Sequence, residues 1–169
     1  MTELEMQHII DLAVNALDLD SFFQLYPEKA APDYVASQLE MGLTTQDSST
    51  IEYAMLLGYV QDIFDESFVG VLNQLIAEDW HCKHEDMALL LQSAKSPSSI
   101  EALYYTAIRQ PLYLSYDDSY ALARKCIHAL GDINTDESWA KLRLIAELNI
   151  PLLNEKIENQ KRYKGRTQW

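Results

Sequence analysis

Apolar residues recur at helical spacing along almost the whole chain. Leu4, Ile9, Leu12, Ala13, Ala16 and Leu17 make a stripe that predicts a first helix over 3–18. Asp18-Leu19-Asp20-Ser21 breaks that stripe, and Phe22, Phe23, Leu25 and Tyr26 read as a short apolar turn stopped by Pro27. Pro32 opens a short helix to about Met41 with Gly42 past its end, since proline suits a helix start and glycine a helix stop. Thr44 to Ser49 is a polar connection.

Beyond it the punctuation repeats. Leu57-Gly58-Tyr59-Val60 is followed by Asp65-Glu66-Ser67-Phe68, and Leu130-Gly131-Asp132-Ile133 by Asp136-Glu137-Ser138-Trp139. In both copies a helix ends at Leu-Gly, and after a short loop an acidic-acidic-serine run leads to an aromatic that opens the next helix. Phe68, Val71 and Leu75 match Trp139, Leu142 and Ala146 in spacing, so Phe68 and Trp139 are expected at equivalent, buried positions. A degenerate middle copy has Leu89-Leu90-Leu91 ending a helix. Ser96-Pro97 opens the next, with Ile100, Leu103, Tyr104 and Ala107 on its apolar face. Three helix-turn-helix units are therefore predicted over about 48–79, 81–110 and 117–148, with a final helix over about 151–163. Periods in this range mark α-solenoids, in which each helix pair covers the apolar face of its neighbour. The expected architecture is a single all-α domain over 1–169. It has an irregular N-terminal cap (1–46), repeats (47–163) and a loose tail (164–169).

Composition narrows the class. Five glycines and five prolines in 169 residues are too few for an all-β protein with a turn every ten residues. No apolar run is long enough to span a membrane, Met1-Thr2-Glu3-Leu4-Glu5 lacks a basic signal-peptide start, and two cysteines make no disulfide framework. A cytoplasmic protein is expected. Charge changes the picture more: 26 acidic residues face 13 basic ones, a net of −13. Residues 1–82 hold fifteen acids and one base, Lys29, whereas five bases and one acid fall in the last fourteen residues. An acidic body repels nucleic acid and attracts basic partners at long range.

Candidate chemistry is sparse. His81 and His84 stand one turn apart beside Cys82 and Glu85, but zinc needs three or four convergent ligands, and the metalloprotease pattern sets its histidines at i, i+4 around a glutamate. Trp80, His84, Glu85 and Asp86 are expected instead to form a structural network or a helix start, with Glu85 and Asp86 in the first turn. Five scattered glycines form no phosphate loop, and no serine sits in a Gly-x-Ser-x-Gly context. No metal, cofactor or catalytic residue is expected. Cys126 lies in an apolar helix stretch as a core residue, and Asp117 is placed to cap the helix that follows it.

The run Trp80-x-x-x-His84-Glu85-Asp86-x-x-x-x-Leu91-Gln92, then Leu103-Tyr104, then Tyr116-Asp117-Asp118-x-Tyr120-Ala121-Leu122-x-x-Lys125-Cys126-x-x-Ala129-Leu130-Gly131-Asp132-Ile133, resembles small bacterial HEAT-like repeat proteins. The resemblance covers about 50–160. Members of that group are often immunity partners of polymorphic or contact-dependent toxins. The resemblance thus implies a non-enzymatic cytoplasmic protein that binds one cognate, basic toxin domain as a monomer in a 1:1 complex. Other HEAT-like proteins are pigment lyases, metal-dependent hydroxylases built on several His-Glu dipeptides, or adaptors; this chain has one such dipeptide, His84-Glu85. For the partner-binding face, loops and helix starts offer Asp47, Asp62, Asp65 and Glu66 and, further on, Asp117 and Asp118. Tyr53, Tyr59, Tyr113, Tyr116 and Tyr120 are its candidate aromatic anchors.

Overall fold

The computed structural model describes residues 1–167, which form ten α-helices and four short 3-10 turns and contain no strand. Gln168 and Trp169, the end of the expected tail, lie outside the described residues. The helices gather into two compact units, residues 1–71 and the residues from 72 onward.

The first unit holds α1 (Glu3–Ala13), α2 (Leu19–Leu25), α3 (Tyr34–Thr45) and α4 (Ser48–Gln61). Thr2 starts α1 with a reciprocal capping box, its side chain accepting from the Glu5 N–H while the Glu5 carboxylate accepts from the Thr2 N–H. The helix stops five residues short of the expected end, because Asn15 takes a left-handed backbone (φ 57°) and Asp18 caps α2 through the Ser21 N–H at 2.8 Å. Only Ile9 and Leu12 of the six stripe residues are buried, and Leu4 and Ala13 face solvent.

Packing also relocates the glycines. α3 runs through Gly42 and ends at left-handed Gln46, while α4 runs through Gly58 and ends at left-handed Asp62. A Cβ on Gly42 would lie 2.6 Å from Ile51 Cδ1, and one on Gly58 would lie 2.5 Å from Phe64 Cζ. These glycines therefore let α3 and α4 close together and let the Phe64 ring lie on the helix, instead of ending helices as the spacing predicts. Phe64 in turn packs edge-on against Tyr59 and Phe68 with centroids at 5.1 and 5.0 Å. Gly58→Ala should accordingly lower the unfolding free energy by about 1–3 kcal/mol, as overpacking of a close contact does. A urea midpoint unchanged from wild type would contradict that packing role.

A short helix, α5 (Val69–Leu75), follows, and the chain continues as α6 (His84–Ala94), α7 (Ile100–Ile108), α8 (Ala121–Ile133), α9 (Asp136–Ala146) and α10 (Pro151–Tyr163). All fall within the predicted helix positions, and α10 matches its predicted span. α8 is the centre of the second unit: α6, α7, α9 and α10 all pack on it, and α9 also meets α7 and α10. Its inward face buries Leu122, Ala123, Cys126, Ile127, Ala129 and Leu130. Burial pushes the Cys126 thiol up to about 12, so it stays protonated and inert, as expected of a core residue. Gly131, like Gly58, lies inside its helix; a Cβ there would meet the Gln160 side chain of α10, and left-handed Asn134 ends α8.

Phe68 and Trp139 are both buried, at 5% and 0% exposure. Trp139 Nε1–H donates to Asn134 Oδ1 at 2.8 Å, satisfying the one polar atom of the ring. In the stretch expected to be loose, Lys164 pairs with Asp132 at 2.7 Å and Arg166 with Asp136 at 3.1 Å. Among the described residues no helix is long and apolar enough to cross a membrane.

Candidate partner-binding site

The charge is partitioned between the two units. Residues 1–71 carry thirteen acids and one base, a net of −12, so the second unit with thirteen acids and twelve bases carries only −1. The single base, Lys29, is 3% exposed. Its ammonium pairs with Glu5 at 3.0 Å and donates to Tyr34 Oη at 2.8 Å, and it lies over the Tyr26 and Tyr34 rings. Burial works against this charge, but the Tyr34 and Glu5 hydrogen bonds outweigh it and hold the ammonium above its ordinary range. Glu5 is held down at about 2, first by the Thr2 N–H and then by Lys29. The first unit therefore presents no basic side chain to solvent, while Asp47, Asp62, Asp65 and Glu66 are all exposed.

Two of these acids also have local duties. Asp47 caps α4 through the Ser49 N–H and the Thr50 hydroxyl, and Asp65 caps the turn before α5 through Ser67. Both carboxyls sit below the usual range because of those hydrogen bonds, Thr50 leading for Asp47 and Ser67 for Asp65. Their negative charge is thus fixed in position. Tyr59 is 42% exposed beside them in sequence, whereas Tyr53 is half-buried.

In the second unit the candidate residues converge on the loop between α7 and α8. Leu112 and Tyr116 are the most exposed large side chains there, at 86% and 80%. The loop that displays them is pinned. Asp117 accepts from the Ser119 N–H at 2.9 Å and from the Ala121 N–H at 2.8 Å, capping α8 from four residues upstream. Its carboxyl is lowered by those bonds, Ser119 first. The Gln110 amide donates to the Leu114 and Asp117 carbonyls. Tyr120 holds a left-handed backbone (φ 54°), a strained state for an aromatic residue and one that clusters at functional sites. Asp118 is exposed.

Beneath one side of the loop is a cavity of about 90 Å³ with a largely apolar wall that includes Pro111, Leu114, Tyr120, Leu122, Leu148 and Leu153. Ile108 and Leu148, which also line it, are part-exposed at 40% and 48%, so apolar surface continues outward from the cavity. Pattern reading missed Leu112, Ile108 and Leu148. Leu112 carried a signal, an apolar residue in a segment of turn chemistry after Pro111; Ile108 ends α7 and Leu148 lies in the turn just past α9, where apolar positions continue the helical spacing and read as core.

Tyr113 does not join the exposed set. Its half-buried hydroxyl donates to His84 Nδ1 at 3.1 Å, and His84 Nε2–H donates to the Glu78 carbonyl at 2.6 Å. His81 stacks on His84 with centroids at 4.4 Å, donates from Nε2 to the Leu75 carbonyl and accepts the Lys83 N–H at Nδ1. Every ring nitrogen is committed, and each acceptor role requires a neutral ring. Burial lowers both histidines, and His84, further depressed by His81, falls to about 4. Burial raises Tyr113 to about 12, which keeps its donor proton in place. Trp80 packs edge-on over His81 and donates to Glu78, and Glu85 pairs with Lys125 of α8. Asp86 is half-buried in the first turn of α6. This network fastens the approach to α6 to the α7–α8 loop through Tyr113, so it supports the displayed residues from below. Among the described residues no three His, Cys, Asp or Glu side chains are grouped to hold a metal ion.

Comparison with protein families, curated proteins and solved structures finds no match for this chain.

Proposed function

We propose that this chain is an immunity-type inhibitor, a non-enzymatic protein that binds and neutralises one basic toxin domain in a 1:1 complex in the cytoplasm. The observation that carries the reading is the first unit: a net charge of −12 whose only cation is buried and internally paired. A surface of one sign attracts an oppositely charged partner and raises its on-rate by 10-fold to 1,000-fold at low salt. Exposed ion pairs contribute only about 0.2–1 kcal/mol each, so tight binding also needs buried anchors. Leu112 and Tyr116 on the pinned loop, with the apolar cavity beside it, supply them. A loop held in place beforehand also loses less entropy on binding than a free one.

The repeat reading belongs to the same proposal. The repeats read over 47–163 have their support in the second unit, where α8 packs on α6 and α7 and α9 packs on α7 and α8, whereas the first predicted pair, 48–79, is divided between the two units at residue 71. The test is co-expression with the toxin domain encoded by the adjacent upstream gene. Restored growth is the expected result. Growth arrest that persists while this chain accumulates as folded protein would overturn the proposal.

A further inference from the structure

The second unit is nearly neutral because its cations are mostly answered one by one. Arg109 pairs with Asp79, Lys125 with Glu85, Lys141 with Glu101, Arg143 with Glu147, Lys161 with Glu158, Lys164 with Asp132 and Arg166 with Asp136. Arg124 of α8 and Lys156 of α10 are exceptions, with no ion pair among the described residues. They line one concavity of about 250 Å³ together with Lys125, His128 and Ala121, so four of its five lining residues are basic.

The histidine is prepared as a donor. His128 Nδ1 accepts from the Gln160 amide, and a neutral ring with Nδ1 so occupied carries its proton on Nε2. Burial, with Lys156 and Arg124 adding to it, lowers its pKa, so the ring is neutral near pH 7 and the fields of both cations reach it. Three carboxylates act on the residues of this concavity. Glu85 holds Lys125, and Asp132, whose charge also reaches His128, is itself engaged by Lys164 and by the Gln92 amide at 2.7 Å. Asp117, held by the Ser119 and Ala121 N–H groups, feels the charge of Arg124, but none of the three forms an ion pair with Arg124 or Lys156.

We propose that this concavity between α8 and α10 is an oxyanion-binding site that takes a phosphoryl group through Arg124, Lys156 and His128. A planar guanidinium matches two phosphate oxygens at once, and an ammonium adds a compact point charge beside it. Lys125, paired with Glu85, closes the flank of the concavity, so the positive field comes from Arg124 and Lys156. The site is independent of the inhibitor reading, since it lies among the basic residues and uses none of the loop that carries the candidate anchors.

The experiment is an NMR titration of the full chain at constant ionic strength, with inorganic phosphate and glycerol 3-phosphate as probes and chloride as the balancing ion. Saturable shifts in the Ala121–His128 amides and at Lys156 are expected with phosphate. The same shifts with the ester assign the group to a phosphorylated organic molecule, and their restriction to inorganic phosphate assigns the free ion. R124Q/K156Q should weaken binding about tenfold or more, and R124K should weaken it measurably because the bidentate contact is lost. Linear, non-saturating shifts in the wild-type chain, or saturable shifts of unchanged midpoint in folded R124Q/K156Q, would overturn the proposal.

Discussion

Between pH 7 and pH 4 the protein is expected to lose about 3 kcal/mol of stability through His84 alone, at about 1.4 kcal/mol per pKa unit. In the folded chain His84 titrates at about 4, against 6.5 for a free histidine. From 6.5 down to 4 the unfolded chain binds the proton and the folded chain does not, so stability falls as pH falls. The proton has nowhere to go in the fold: Nε2 already donates to the Glu78 carbonyl, and Nδ1 would have to give up its acceptor role to Tyr113. His81 is shifted in the same direction and adds to the slope. Glu5 acts in a separate window, stabilising above its ordinary 4.5 and losing that contribution only as pH drops toward 2. Urea unfolding at pH 7, 6, 5 and 4 should therefore show a steep decline in the wild type and a much shallower one in His84→Gln. Parallel declines in the two proteins would show that His84 is not the group being protonated.

The second large effect is kinetic. D65K/E66K replaces two exposed negative charges of the first unit by positive ones, a change of four in a net of −12. Association with the basic partner should slow by about tenfold at low ionic strength, and its salt dependence should flatten. Tyr116→Ala removes an aromatic side chain that is 80% exposed, so it should leave association almost unchanged and speed dissociation, the usual signature of a lost anchor. Stopped-flow measurements at low and physiological salt separate the two. An association rate indifferent to salt would remove electrostatic steering from the account.

Helix content and placement were legible from periodicity because the apolar spacing of α6 to α10 is regular and little else competes with it. Helix ends were less legible. Gly42, Gly58 and Gly131 carry the residue type of a stop signal, but each lies where another side chain closes on the helix, a contact that only the folded packing creates. The stops fall instead at Gln46, Asp62 and Asn134, of which Asp62 and Asn134 are residue types that tolerate a left-handed backbone and Gln46 carries no such mark. The charge imbalance could be counted directly, but the burial of Lys29 could not, since it depends on Glu5, Tyr26 and Tyr34 meeting around one ammonium. The same holds for Tyr113: in sequence it is one of five similar tyrosines, and only its meeting with His84, twenty-nine residues earlier, gives it a separate role.

Neutralisation of a basic toxin domain by direct binding is read out by titrating that domain's activity with this chain in vitro. Activity should fall linearly and end at one equivalent, with a 1:1 complex by mass. Full activity in the presence of a large excess of the folded chain would contradict it.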